Sequence, residues 1–236
     1  MTNTLQFEQL RRGQALSGQE LVQLASLIYD TDPFIYPALF SSKAQAERVL
    51  SAVFTHGGDN MFCPENCFVG RLNGELSGLV LWVAGSLEWS DAALWAELER
   101  DSEPVSPGYA QARDEYFSSY QTNPNTTISI INFSVDSSVW GQGVGGAVMR
   151  AFLQEHPEQD MELFVLDNNT AAYQLYQRAG FSEIQKLNGF AIGPEKPACT
   201  QMYRRVEFKS SEAKKFAVLQ GRNRIRNRKY GVTVSL

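Results

Sequence analysis

Histidine and cysteine are both scarce in this chain, with two and three residues in 236. Cys63, Cys67 and Cys199 form no framework of even count, so a reducing cytoplasm is the expected home. Cys63 and Cys67 have a spacing seen in some zinc sites. Zinc needs about four ligands, however, and no second Cys or His pair with matching spacing follows, so no metal is expected. Both are read as half-buried thiols. Long apolar runs are missing too. None approaches the roughly 20 residues that span a bilayer, so neither a transmembrane segment nor a membrane partner is expected. Met1 to Gln9 lacks a basic stretch followed by an apolar core, which argues against a secretory signal.

The length suits one generous domain, or one domain with extensions. Its net charge of −5 hides an asymmetry. Residues 208–236 hold eight Lys or Arg against one acid, Glu212, and the first 207 residues balance at −12. An acidic body favours cationic ligands over nucleic acid, so the basic tail is the one hint of a nucleic-acid partner. In that tail Arg222, Arg224, Arg226 and Arg228 alternate with Asn223, Ile225 and Asn227. The pattern fits a solvated charge run, an added edge strand, or an arm for RNA, anionic lipid or a partner subunit in a homodimer.

Apolar spacing predicts a helix from Gly18 to about Tyr29, ending near Asp32-Pro33, and a second over Ser42 to Phe54. Cys67–Leu72 and Glu75–Trp82 flank Asn73-Gly74, which reads as a hairpin because both turn positions need positive φ. A helical insertion over about 86–126 precedes a strand from Thr127 to Val135. A helix from about Gly145 to Glu155, a strand over Glu162–Leu166 and a helix over Thr170–Arg178 follow. Two last strands fall near Phe181–Ile192 and Cys199–Val206. The expected fold is mixed α/β with a hairpin at each end of the sheet. Residues 1–207 form the domain and 208–236 an extension.

Between Val135 and the next helix lies the cluster Gly141, Gln142, Gly143, Val144, Gly145 and Gly146. Glycines there either let a phosphate approach free amides at a helix start or simply allow positive φ in a tight turn. Gly141-x-Gly143-x-x-Gly146 also matches a dinucleotide fingerprint, with Asp167 ending the next strand. That fingerprint begins right at a strand end, whereas five residues separate Val135 from Gly141. No further alternating strands follow to complete a doubly wound sheet.

A second motif, Asn169-x-x-Ala172-x-x-Leu175-Tyr176-x-x-x-Gly180-Phe181, occupies a helix and its exit. Alone it reads as an Asn-capped amphipathic helix with a core aromatic. Paired with the glycine loop, it resembles the GNAT superfamily of N-acetyltransferases. The likeness runs in detail from Thr127 to Phe181, and in strand order from Leu21 to Val206. It implies a mostly antiparallel sheet flanked by helices, whose splayed central strands bind coenzyme A. The backbone of Phe133, Ser134 and Val135 would pair with the pantetheine arm of acetyl-CoA, and Gly141 to Gly146 would grip its pyrophosphate. Asn169 would lie beside the cofactor, and Tyr176 near its sulfur, ready to protonate the leaving thiolate. Trp140 departs from the family's Gln or Arg at the first loop position, so a side-chain grip on phosphate is not expected there.

The chemistry agrees with that assignment. A phenol of pKa near 10 suits a thiolate whose conjugate acid is near 8.5. No covalent intermediate is needed, so the missing Ser-His or Cys-His pair is no obstacle. A general base is not evident, since Ser129, Ile130, Ile131 and Asn132 include no acid; a water relay to a more distant carboxylate is expected. Asp30 and Asp32 beside Phe34 and Tyr36 either suit a cationic amine acceptor or simply stop a helix. The expectation is an acetyl-CoA-dependent N-acetyltransferase acting on a primary amine of a small cationic molecule or peptide. Its rival is a non-catalytic coenzyme A-binding module of the same fold, acting as sensor or assembly partner.

Overall fold

Asn73 and Gly74 both take positive φ (54° and 91°), which turns β2 (Cys67–Leu72) back onto β3 (Glu75–Ala84). This computed structural model describes residues 4–56, 60–85, 92–105, 127–188 and 198–206. Glu88, Trp89, Asp91 and Asp114 of the expected insertion lie outside them, as does the basic extension.

The sheet has seven strands among the described residues, in the order β1-β2-β3-β4-β5-β7-β6. β4 spans Ile128–Val135, β5 Met161–Leu166, β6 Ser182–Leu187 and β7 Cys199–Arg204. Every pairing is antiparallel except β4 with β5. β1 (Leu5–Gln9) was not expected. It lies outside the first hairpin, with Phe7 stacked on Phe68 at 6.4 Å, so that hairpin is not the sheet edge. At the other end the β6–β7 pair does form the margin.

The helices cover both faces. α1 (Gly18–Tyr29) starts from a reciprocal capping box between Ser17 and Glu20. α2 (Ile35–Leu39) is a short helix where only a turn was expected, followed by α3 (Lys43–His56) and α4 (Ala92–Arg100). Leu24, Ile28, Val49 and Leu50 from α1 and α3 pack with Leu79 and Leu81 on one face, with Trp95 of α4 at the margin. The other face buries Val80, Ile130, Met161 and Leu163 under α5 (Val144–Glu155) and α6 (Thr170–Arg178).

Gly70 and Gly78 face each other across β2 and β3. A Cβ on either would come within 2.6 or 2.9 Å of Val148 Cγ2. Their missing side chains therefore let α5 settle close on the sheet. The compact unit that holds all these elements ends at Arg205.

Candidate active site

β4 and β5 run parallel but pair only from Ile128–Met161 to Ile130–Leu163. The ladder of β4 with β3 slips at the same level. Leu81 faces Asn132 and Trp82 faces Ile130, which leaves Ile131 as an extra, bulged residue. A bulge bends its strand, so β4 turns away from β5 there and a cleft opens. Asp136 donates its N–H to Ser77 of β3. Alternation along an unbroken register then turns the N–H and C=O groups of Phe133 and Val135 into the cleft, while those of Ser134 point to β3. The Val135 carbonyl accepts from the Trp140 indole N–H at 2.8 Å.

At the end of this edge Asp136 caps a single 3-10 turn, Ser137–Val139, through the Ser138 amide. Gly141 and Gly143 follow at φ 76° and 80°. A Cβ on either would meet nothing within 4 Å, so conformation rather than space requires glycine. Gly143 is the N-cap of α5 and brings no side-chain cap. The first-turn amides of Val144, Gly145 and Gly146 therefore lack intrahelical acceptors, at the positive end of the helix dipole. Gly145 serves packing as well, because a Cβ there would lie 3.3 Å from Val135 and 3.4 Å from Leu175. Gln142 turns its side chain to the Ser138 carbonyl at 3.2 Å. Positive-φ turn and free helix start thus occur in the same loop.

Tyr176 projects from α6 and is 6% exposed. Its ring meets Phe133 at 6.0 Å and Phe181 at 6.1 Å, both edge to face. Burial pushes the phenol well above its ordinary value, and no described side chain bonds its hydroxyl. Asn169, by contrast, spends its side-chain oxygen capping α6 through the Ala172 amide at 3.1 Å.

The opposite face of the sheet carries a residue that no sequence motif marks. Glu162 is fully buried. It accepts from Ser129 at 2.9 Å and from Gln201 at 3.1 Å. Met161 and Leu163 share the core of Tyr176, so alternation puts Glu162 on the far face. A single Glu inside a short apolar strand gives no pattern that singles it out.

Of the expected acceptor residues, Tyr36 alone is tied to β4. Its hydroxyl donates to Asn132 at 3.0 Å, and Asn132 donates to Thr31 at 2.6 Å. Asp30 pairs with Lys43 at 2.6 Å on the surface. Asp32 accepts from the Phe34 and Ile35 amides at the start of α2, and burial pushes its carboxyl up despite them. Phe34, half-buried, is the N-cap of α2. The two carboxylates therefore have local partners, and the Tyr36 hydroxyl reaches the residue that follows the bulge.

His56 pairs with Glu97 of α4, and His156 packs on Trp82 and Phe152. Cys63 and Cys67 are fully buried free thiols rather than half-buried ones. No group of three potential metal ligands occurs among the described residues. A groove of about 970 Å³ along β1 and α5, bordered by Phe7, Arg11 and Gln154, contains none of the residues above.

A parallel pair of strands thus parts at a bulge, beside a glycine loop that opens a helix. The acetyltransferase (GNAT) family model matches residues 36–181, and the chain belongs to that family. Among solved structures, it is similar to an N-acetyltransferase from Staphylococcus aureus Mu50, with 14% identity and a TM-score of 0.56 over 84% of this chain and 99% of that one. It is also similar to a histone acetyltransferase HPA2-related acetyltransferase from Corynebacterium glutamicum, with 14% identity and a TM-score of 0.57 over 89% and 99% of the two chains. At such identity the likeness concerns the fold. No curated protein matches the sequence.

Proposed function

We propose that this protein transfers an acetyl group from acetyl-CoA to a primary amine of a small cationic molecule or a peptide. The observation that carries the reading is the cleft edge of β4, joined by the turn and glycine loop of residues 136–143 to the uncapped start of α5. A pantetheine arm has amide groups that match the strand edge at Phe133 and Val135. A pyrophosphate matches the free amides of Val144, Gly145 and Gly146. The acetyl thioester then falls toward the point where β4 and β5 part.

At that point the residues divide the proton traffic. Attack by the neutral amine makes the C–N bond and places charge on the carbonyl oxygen, which a backbone N–H on the β4 edge stabilises. As the C–S bond breaks, Tyr176 gives its proton to the sulfur. The amine proton leaves on the other face, through water and Ser129, to Glu162. Phe34, half-buried, offers an aromatic face to an alkylammonium, with Tyr36 buried behind it. Asp30 is available to it as well, because an exposed pair such as Asp30–Lys43 is worth about 1 kcal/mol or less.

The test is release of free thiol from acetyl-CoA across a panel of cationic, neutral and anionic amines. Thiol release with a cationic amine is the expected result. Coenzyme A binding without turnover on any amine would favour the non-catalytic module. Turnover confined to anionic or neutral amines would overturn the acceptor assignment.

A further inference from the structure

Trp140 is 70% exposed, the most open of the large apolar side chains among the described residues. It is nonetheless anchored, because its indole N–H donates to the Val135 carbonyl at 2.8 Å. That bond consumes the ring's polar atom and fixes its plane. No ring or cation among the described residues covers either face. A small hydroxyl or amide could close the same carbonyl, so the bond does not account for a bicyclic ring held in water. Leaving such a ring uncovered forfeits the roughly 25 cal/mol per Å² that burial would return.

Its place is specific. Trp140 bridges the last cleft-facing carbonyl of β4 and Gly141, the first of the two left-handed glycines that lead to α5. It therefore stands where a ligand lying along the β4 edge would turn onto the helix start. On the reading of the previous subsection, pantetheine lies on one side of this turn and pyrophosphate on the other. The next flat group of such a donor is its adenine ring. A fixed aromatic platform stacks on a base with roughly 1–3 kcal/mol, and does so without reading its edges.

We propose that Trp140 is the platform for the adenine ring of the donor, and so selects full coenzyme A thioesters over shorter pantetheine thioesters. Stacking at this position does the work that a Gln or Arg side chain would do by gripping phosphate. The proposal rests on coenzyme A binding at this cleft, and the experiment separates the two.

Affinities of coenzyme A, 3′-dephospho-coenzyme A and 4′-phosphopantetheine are measured by calorimetry on the full chain and on Trp140→Ala and Trp140→Phe. Trp140→Ala is expected to weaken both adenine-bearing ligands roughly 10- to 100-fold and leave 4′-phosphopantetheine unchanged. Trp140→Phe keeps most of the affinity. Equal losses for all three ligands would overturn the proposal and assign Trp140 to holding the loop through Val135. A loss confined to coenzyme A would overturn it in favour of binding to the 3′-phosphate. No loss for any ligand would overturn it outright, with Trp140 then free to meet another macromolecule. Failure of the unaltered chain to bind any of the three would overturn the donor assignment itself, and this inference with it.

Discussion

Ser129 and Glu162 face each other across the short parallel ladder of β4 and β5, and the serine hydroxyl donates to the buried carboxylate at 2.9 Å. The pair sits one rung from the point where the strands part, on the face opposite Tyr176. A phenol and a carboxylate thus lie on opposite faces of the sheet near the opening.

Glu162→Gln keeps the side chain's size while removing the charge and one of the two oxygens that accept from Ser129 and Gln201. Turnover should fall about 100-fold or more, with the donor's KM unchanged, if this carboxylate takes the amine proton. Steady-state kinetics at saturating acceptor read this directly. Unchanged turnover would return Glu162 to a purely structural role.

Tyr176→Phe preserves the contacts with Phe133 and Phe181 and deletes the hydroxyl. Turnover is expected to drop by about 100- to 10,000-fold, with coenzyme A affinity nearly constant. A variant as fast as the parent would make this tyrosine a packing residue.

Gly143→Val tests the loop. A side chain at φ 80° is strained by about 1–3 kcal/mol although nothing crowds it. The strain should distort the start of α5 and weaken coenzyme A roughly tenfold or more in calorimetry, with Gly143→Ala milder. Undiminished affinity would remove the pyrophosphate from this loop.

His156 supplies a pH dependence. Burial lowers its basicity, partly offset by Glu155, and its Nε2 is buried without a partner. The unfolded chain therefore takes up a proton near pH 6.5 before the folded one does. Stability from this site is fully present above that pH and is lost as pH falls toward the lower folded value. Thermal unfolding between pH 7 and 5 should show the fall, and His156→Phe should flatten it.

A chain ending at Glu207 should fold and retain acetyl transfer, since the compact unit ends at Arg205. Circular dichroism and the thiol assay check it. Loss of folding would make the basic extension part of the domain.

Local patterns were legible because local rules create them. The Asn73-Gly74 hairpin and the limits of α6 follow from φ preference and an Asn cap, and both appear as read. The glycine loop was equally visible, since positive φ leaves a compositional mark. β1 was not, because five residues with no turn signal gain their structure only by pairing with β2. α2 escaped for a similar reason, being one turn held by Asp32 and by Tyr36 on Asn132.

The site divides in the same way. The sequence alone marked Tyr176, Gly143 and the β4 segment, each inside a contiguous motif. Glu162 emerged only in the fold, because burial and the approach of Ser129 and Gln201 depend on three strands far apart in the chain. Tertiary structure also tied Asp30 to Lys43, bulged β4 at Ile131, and gave the indole of Trp140 the Val135 carbonyl. Turn and helix-end preferences act over a few residues and are written in order along the chain. Burial, strand divergence and charge pairing depend on which distant segments meet, and that is decided when the sheet and its helices close on a common core.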